Sequence, residues 1–297
     1  VILFRRASEF SLSQLHQVMV LAFSDYVIQM DMPLADFERM IRARGFDAEL
    51  SWVATDNEQL VGFWFIGKQD AYPGTIYAVS TGTAPKARGK GIASKLFAKV
   101  EEYAAQQGYH HIQLEVITSN TAAVKAYEKL GFQTKRNFQC FSLHKAAFAD
   151  RNSERMPVPA DWAEIEPKAA GLWERAPSWQ NTAFAIRALT DGVTAYKIEQ
   201  NGQLAGYIAF TRKTGAVMQI AVAPDKRRQG YATALLTAAF ANMNKEALTF
   251  INLDEGDETI MQALSKLGAT KTLQQYEMHR ALQTSTAHGQ ESMLTTP

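Results

Sequence analysis

Residues 85–96 read PKARGKGIASKL, and residues 224–235 read PDKRRQGYATAL. Five pairs match in register: Pro85/Pro224, Arg88/Arg227, Gly91/Gly230, Ala93/Ala232 and Leu96/Leu235. Each stretch passes from a loop containing glycine into apolar residues at helical spacing. The first N–H groups of a helix have no partner inside it, and the helix dipole adds partial positive charge at that end. With glycine letting the backbone come close and an arginine alongside, such a turn can hold an anion, above all phosphate. A plain helix entry would also place glycine there. Two copies of Arg-x-x-Gly-x-Ala favour the anion site. The nucleotide-triphosphate loop is excluded, because Gly-x4-Gly-Lys followed by Ser or Thr occurs in neither copy. The dinucleotide pattern Gly-x-Gly-x-x-Gly fails at Ser94.

The surrounding elements repeat as well. NEQLVGF at Asn57–Phe63 returns as NGQLAGY at Asn201–Tyr207, and KLG at Lys129–Gly131 returns at Lys266–Gly268. Three landmarks in one order point to two copies of a single unit, with small loop deletions between them. In the first copy, Ser11–Phe23 reads as a helix capped by Ser11 or Ser13, and Phe37–Gly45 as a second one ending on glycine. LSWVATD and QLVGFWFIG form a hairpin around Asn57 and Glu58, and Thr75–Thr83 is a further strand. Ile92–Gln107 has the helical period, followed by the strand His111–Ile117, a helix over Thr121–Leu130 and a last strand near Phe138–His144. The order is mixed α/β. It divides the chain into a first domain over 1–148, a polar, proline-containing linker over 149–161, a second domain over 162–282 and a mobile tail over 283–297.

Bulk properties remove other classes of function. The 31 Lys and Arg balance 30 Asp and Glu, so no global field draws the chain to nucleic acid or an anionic membrane. The DKRR cluster at Asp225–Arg228 is too small to overturn that. The single cysteine, Cys140, rules out an internal disulfide and fits a reducing, cytoplasmic setting. It is either a nucleophile or a buried structural thiol, and its alternating strand context favours burial. No apolar run reaches the roughly 20 residues of a membrane span. His110 and His111 lack partners at metal-ligand spacing, so no metal site is expected. ERAPSWQN at Glu174–Asn181 either lines a cleft or stops a helix.

Arg88–Ala93 resembles the Arg/Gln-x-x-Gly-x-Gly/Ala loop of the GCN5-related N-acetyltransferases, which cradles the pyrophosphate of acetyl-CoA. LEVITSNTAAVKAYEKLGF at Leu114–Phe132 is similar to that family's second signature: a strand end, an Asn, an Ala three residues on, then Tyr and a terminal Lys-Leu-Gly-Phe. The resemblance covers the first copy through its ordered elements and the second more loosely. It implies two tandem α/β domains, each a mostly antiparallel sheet splayed at the cofactor site and flanked by helices.

The same resemblance implies which residues act. Thr83, Arg88, Gly89, Lys90, Gly91, Ile92, Ala93 and Asn120 would hold acetyl-CoA, with Asn120 also able to cap its helix. Tyr127 would be the acid that protonates the leaving thiolate. Glu115 lies twelve residues before Tyr127, the spacing of the family's ribosomal-protein alanine acetyltransferases, and would be the base that deprotonates the amine. An ordered water is the alternative base. Donors must also meet the oxyanion as the amine attacks the thioester. Asp25 and Tyr26 fall where relatives bind the acceptor. In the second copy, Leu264 and Asp257 stand at the places of Tyr127 and Asn120, so this domain has lost the acid. It keeps Arg227, Arg228, Gln229, Gly230, Tyr231 and Ala232 as a second cofactor loop. The expected protein is thus a monomeric or homodimeric acetyltransferase for a small-molecule or peptide amine, with a non-catalytic acyl-CoA-binding protein as the alternative.

Overall fold

A computed structural model describes residues 1–25, 32–148, 151, 153–189 and 192–283. The first half runs β1 (Ile2–Arg6), α1 (Leu12–Ala22), α2 (Leu34–Ala43), β2 (Phe46–Asp56), β3 (Gln59–Lys68), β4 (Thr75–Thr83), α3 (Ile92–Gln106), β5 (His111–Ile117), α4 (Thr121–Lys129) and β6 (Gln133–His144). The second repeats it with β7 (Val158–Ala160), α5 (Trp162–Ala169), α6 (Ala183–Ala188), β8 (Val193–Gln200), β9 (Gln203–Thr211), β10 (Ala216–Val222), α7 (Tyr231–Ala241), β11 (Ala247–Asp254), α8 (Glu258–Lys266) and β12 (Thr270–Ala281). No described helix is long and apolar enough to cross a membrane.

Local chemistry explains most boundaries. Ser11 caps α1 by accepting the Gln14 N–H at 3.3 Å, and the Gln14 side chain accepts the Ser11 N–H at 2.9 Å. Asn57 and Glu58 both sit at positive φ, 47° and 66°, the turn whose twist suits a two-residue hairpin. Asn201 and Gly202 repeat it. Two elements depart from the sequence expectation. Val158–Ala160 is not linker but the first strand of the second half, paired antiparallel to β8 as β1 is to β2. β6 reaches back to Gln133, because pairing with β12 defines it over residues whose side chains are mostly exposed. The tail expected from Gln283 falls, beyond that residue, outside the described residues.

The two halves form one sheet. Its twelve strands lie in the order β1-β2-β3-β4-β5-β12-β6-β11-β10-β9-β8-β7. Each half therefore gives its last strand to the other: β12 pairs with β5, and β6 with β11. At the centre Phe138 faces Gln275, flanked by Asn137–Tyr276 and Gln139–Gln274. Phe138 and Gln275 are separated by the same 137 residues as Lys129 and Lys266, and the two flanking pairs exchange under that offset, so a pseudo-two-fold axis passes between Phe138 and Gln275. Within each half the sheet opens. β4 and β5 pair in parallel only from Thr75–Tyr77 against His111–Gln113, and β10 and β11 only from Ala216–Val217 against Thr249–Phe250.

Apolar layers cover both faces of the first half-sheet. Trp64, Phe97, Leu114 and Phe132 pack beneath α3 and α4. Phe37, Phe63, Phe65 and Tyr77 pack beneath α1 and α2, together with Trp179 from the second half. A charged cluster closes the seam between halves. Arg136 on β6 donates from Nε and Nη2 to both oxygens of Glu277 on β12, at 2.9 and 2.6 Å, and His279 bonds the same carboxylate at 2.8 Å. Burial alone would raise the Glu277 pKa, but the bonds from His279 and Arg136 outweigh it and hold the carboxyl below its usual range. Arg136→Ala leaves a buried carboxylate half-paired and should lower the unfolding free energy by about 3 kcal/mol in urea titrations, the low end for a broken buried pair. An unchanged midpoint would mean that the seam does not depend on this pair.

Candidate active site

The gap between β4 and β5 is the centre of the first site. Ile112, Leu114 and Val116 face the α3/α4 layer, so Gln113 and Glu115 face the α1/α2 side. Tyr127 projects from α4 on the opposite side of the gap. Its phenol shares a 2.8 Å hydrogen bond with Thr81 Oγ1 on β4, and its ring lies edge-on to Trp64 at 6.1 Å and Phe132 at 5.8 Å. The phenol and the carboxylate thus approach the opening from its two faces. Asn120 caps α4 by accepting the Ala123 N–H at 3.1 Å.

The loop before α3 has the predicted shape. Gly89 and Gly91 have φ of 78° and 71°, a left-handed conformation that side chains resist, and a Cβ at either would meet only open space. The turn rather than close packing requires these glycines. Ile92 is buried against the α3 core, so it anchors the loop while its N–H begins the helix. Lys90 and Ala93 are exposed beside it. Arg88 spans the strand end and α1: Nε donates to the Thr83 carbonyl at 3.1 Å, Nη2 to the Ala22 carbonyl at 2.9 Å, and Nη1 to Asp25 at 2.7 Å. Asp25, expected to face an amine, is instead held by Arg88, which keeps its carboxyl below the usual range. Tyr26 lies outside the described residues.

The second cleft repeats this geometry with other chemistry. Gly230 has φ of 83°, and Arg228 takes the left-handed place of Gly89 at 61°. Arg227 bonds the Val222 carbonyl at 3.3 Å and Glu174 at 2.8 Å, mirroring Arg88 with Thr83 and Asp25. Gln229 folds onto the Asp225 carbonyl, and Tyr231 is buried with its hydroxyl on Gln200, while Ala232 lines the cleft. A cavity of about 520 Å³ opens there, bounded by this loop, Asp257 and Asn252. Asp257 caps α8 as Asn120 caps α4, accepting the Ile260 N–H at 3.0 Å, and burial raises its pKa. Leu264 is sunk in the core, so no phenol stands at that position.

Sequence reasoning missed what surrounds Glu115. Glu174–Pro177 and Asn181 line the second-half cavity, while Trp179 and Gln180 reach across to residues of the first half. Trp179 stacks between Tyr72 and Tyr77, with ring centres 5.0 Å from each, and donates to the Arg44 carbonyl at 3.0 Å. Gln180 and the Tyr77 hydroxyl both donate to Glu115 Oε2. The other oxygen, Oε1, is buried without a hydrogen-bond partner. Burial dominates and raises the Glu115 pKa, while the bonds from Gln180 and Tyr77 oppose it.

The sequence profile described as "Acetyltransferase (GNAT) family" matches residues 15–132 and again 159–268. The chain belongs to that family. Over 122 residues it is 35% identical to a mycothiol acetyltransferase of Brachybacterium faecium, a match covering 39% of this chain and 36% of that protein. Over 119 residues it is 34% identical to an acetyltransferase of Pectobacterium atrosepticum, covering 40% and 78%. The chain thus spans about a third of the length of the mycothiol acetyltransferases it matches. In fold it resembles a tandem GNAT protein from the clavulanic acid biosynthesis pathway, with a TM-score of 0.70 and 17% identity over 95% of this chain and 99% of that one. A GCN5-related N-acetyltransferase from Sphaerobacter thermophilus gives a TM-score of 0.69 and 13% identity over 95% and 96%.

Cys140 takes no part in either cleft. It is buried on β6, where the Asn252 N–H donates to its sulfur at 3.4 Å, and burial pushes its pKa up. The native protein should therefore resist a disulfide reagent at about pH 8 and release one thiol per chain once unfolded in guanidinium. Rapid reaction of the folded protein, followed by absorbance, would contradict this placement.

Proposed function

We propose that the chain transfers an acetyl group from acetyl-CoA to a primary amine, with the first half carrying the chemistry. The observation that carries this reading is the Tyr127 phenol, held by Thr81 at the mouth of the β4/β5 gap on the face that also presents the Arg88–Ala93 loop. The free N–H groups opening α3, with Arg88 and Lys90 beside them, suit the pyrophosphate of the cofactor. The thioester supplies the acetyl group. Tyr127 donates a proton to the departing sulfur and recovers one through Thr81 or water. The amine reaches the gap from the α1/α2 face, where Glu115 accepts its proton directly or through a water. No covalent bond to the protein is needed when the amine attacks directly.

The second cleft supports binding rather than turnover. Its loop and its 520 Å³ cavity suit the same class of ligand. It has neither a phenol at Leu264 nor a proton acceptor at Asn252, the counterpart of Glu115. The acceptor is an amine of a small molecule or peptide, and a panel would narrow it: an amino acid, a polyamine, an aminoglycoside, a peptide N-terminus and a protein lysine.

Thiol release from acetyl-CoA, followed across that panel, tests the proposal. At least one amine should turn over, and Tyr127→Phe should slow it by about 10²-fold with little change in acetyl-CoA affinity. Equal turnover by the variant would remove Tyr127 from the reaction. Tight acetyl-CoA binding with no turnover on any amine would favour the non-catalytic alternative.

A further inference from the structure

The first site is not built from the first half alone. We infer that Gln180, in the second half, is a positioning residue for Glu115: it ties the carboxylate to Arg44 and keeps it fixed at the β4/β5 gap. This rests on the acetyl-transfer reading above and adds a residue to that site.

Direction in the hydrogen-bond chain carries the argument. Arg44 Nη2 donates to Gln180 Oε1 at 2.6 Å, and a guanidinium can only donate. The amide oxygen of Gln180 must therefore face Arg44, which turns its NH2 group toward Glu115. A carboxamide has no other way to satisfy both neighbours. The Tyr77 hydroxyl, 3.3 Å from Gln180 Nε2, donates its own proton to the same Glu115 oxygen at 2.8 Å. Oε2 is thereby saturated, while Oε1 keeps its lone pairs. An acceptor of that kind suits the N–H of an incoming amine or a water that relays its proton.

Gln180 is itself held from several sides. Arg44 donates from Nη1 to the Val79 carbonyl at 2.9 Å, on the strand that lines the gap. Trp179, its neighbour, is wedged between Tyr72 and Tyr77 and accepts from Gln69 through its carbonyl at 3.4 Å. Thr182 bonds Gln69 Oε1 at 2.9 Å and caps α6. Both ends of the 179–182 turn are pinned to the first half, so Gln180 has little freedom to leave Glu115.

The groups facing Glu115 are Tyr77 on β4, Gln180 on the turn, Arg44 at the end of α2, and Glu277 directly opposite on β12. Tyr72 and Cys140 lie further off, and Glu277 is paired with Arg136 and hydrogen-bonded to His279. Removing the Gln180 donor takes a hydrogen bond from the charged form of Glu115, so its pKa must rise. The acid limb of the rate profile must then move to higher pH.

The test uses the full chain with 13C-labelled glutamate, wild type against Gln180→Met, which keeps bulk but removes the amide. Circular dichroism confirms folding. Tyr77→Phe, which keeps the stacked ring and removes the other donor, serves as the second variant. Carboxyl resonances are followed by NMR from acid to neutral pH without any ligand. Thiol release from acetyl-CoA is then measured across the same range with the fastest amine of the panel. In each variant the Glu115 midpoint should rise by about one unit, as expected for loss of one hydrogen bond to a charged group, and the acid limb should move with it. An unmoved Glu115 midpoint in folded Gln180→Met overturns the inference, whatever the activity. A moved midpoint with an unmoved acid limb also overturns it, because Gln180 would then hold a carboxylate that takes no part in the reaction. If no amine turns over, the acetyl-transfer reading fails, while the NMR midpoint still decides whether Gln180 sets the state of Glu115.

Discussion

Exchange of the last strands is the constraint on which everything else rests. β6 and β12 cross to the opposite half and meet at a pseudo-two-fold axis, so neither half-sheet is closed by its own chain segment. Strand pairing leaves little freedom in register, since a slip of one residue would turn every side chain to the other face. Arg136 and Glu277 fix that register with a charged pair that would be costly to misplace. The result is an isologous interface of the kind that joins two subunits, here joined by covalent connection.

Both clefts inherit their shape from this arrangement. In each half the fourth and fifth strands pair for two or three residues and then part, leaving a gap at the sheet centre. A left-handed glycine starts the next helix at that gap, and an arginine three residues before it bonds back to the strand carbonyl. A carboxylate from the segment after the first helix then holds the arginine: Asp25 in one half and Glu174 in the other. These ion pairs are at least partly exposed and contribute little to stability. Their effect is local, setting where the guanidinium sits. The halves differ where chemistry is concerned. Tyr127 and Glu115 become Leu264 and Asn252, so at these two positions one cleft carries a phenol and a carboxyl group and the other carries neither.

Much of this was legible in the sequence because its causes are local. The Gly91 and Gly230 turns, the Ser11 cap, the hairpin at Asn57–Glu58 and the period of α3 depend on neighbours a few residues away. The repeat itself followed from matched landmarks. What could not be read was non-local. The alternation along β6 and β12 is the same whether each strand stays in its own half or crosses to the other. Gln180 lies 65 residues from Glu115, and nothing in SWQN except its unusual composition marked it. Asp25 was expected at an amine because it follows α1. It is paired with Arg88 because the turn after α1 lies beside that guanidinium.

The central claim, two cofactor clefts with chemistry in only one, is tested most directly by titrating acetyl-CoA into the wild type, Gly91→Val and Gly230→Val, with thiol release measured on each. Valine is strained at both positive φ values and would disturb each loop separately. The account predicts two sites in the wild type and one in each variant, with thiol release lost only in Gly91→Val. Release that survives Gly91→Val and vanishes in Gly230→Val would place the chemistry in the other half and contradict the account.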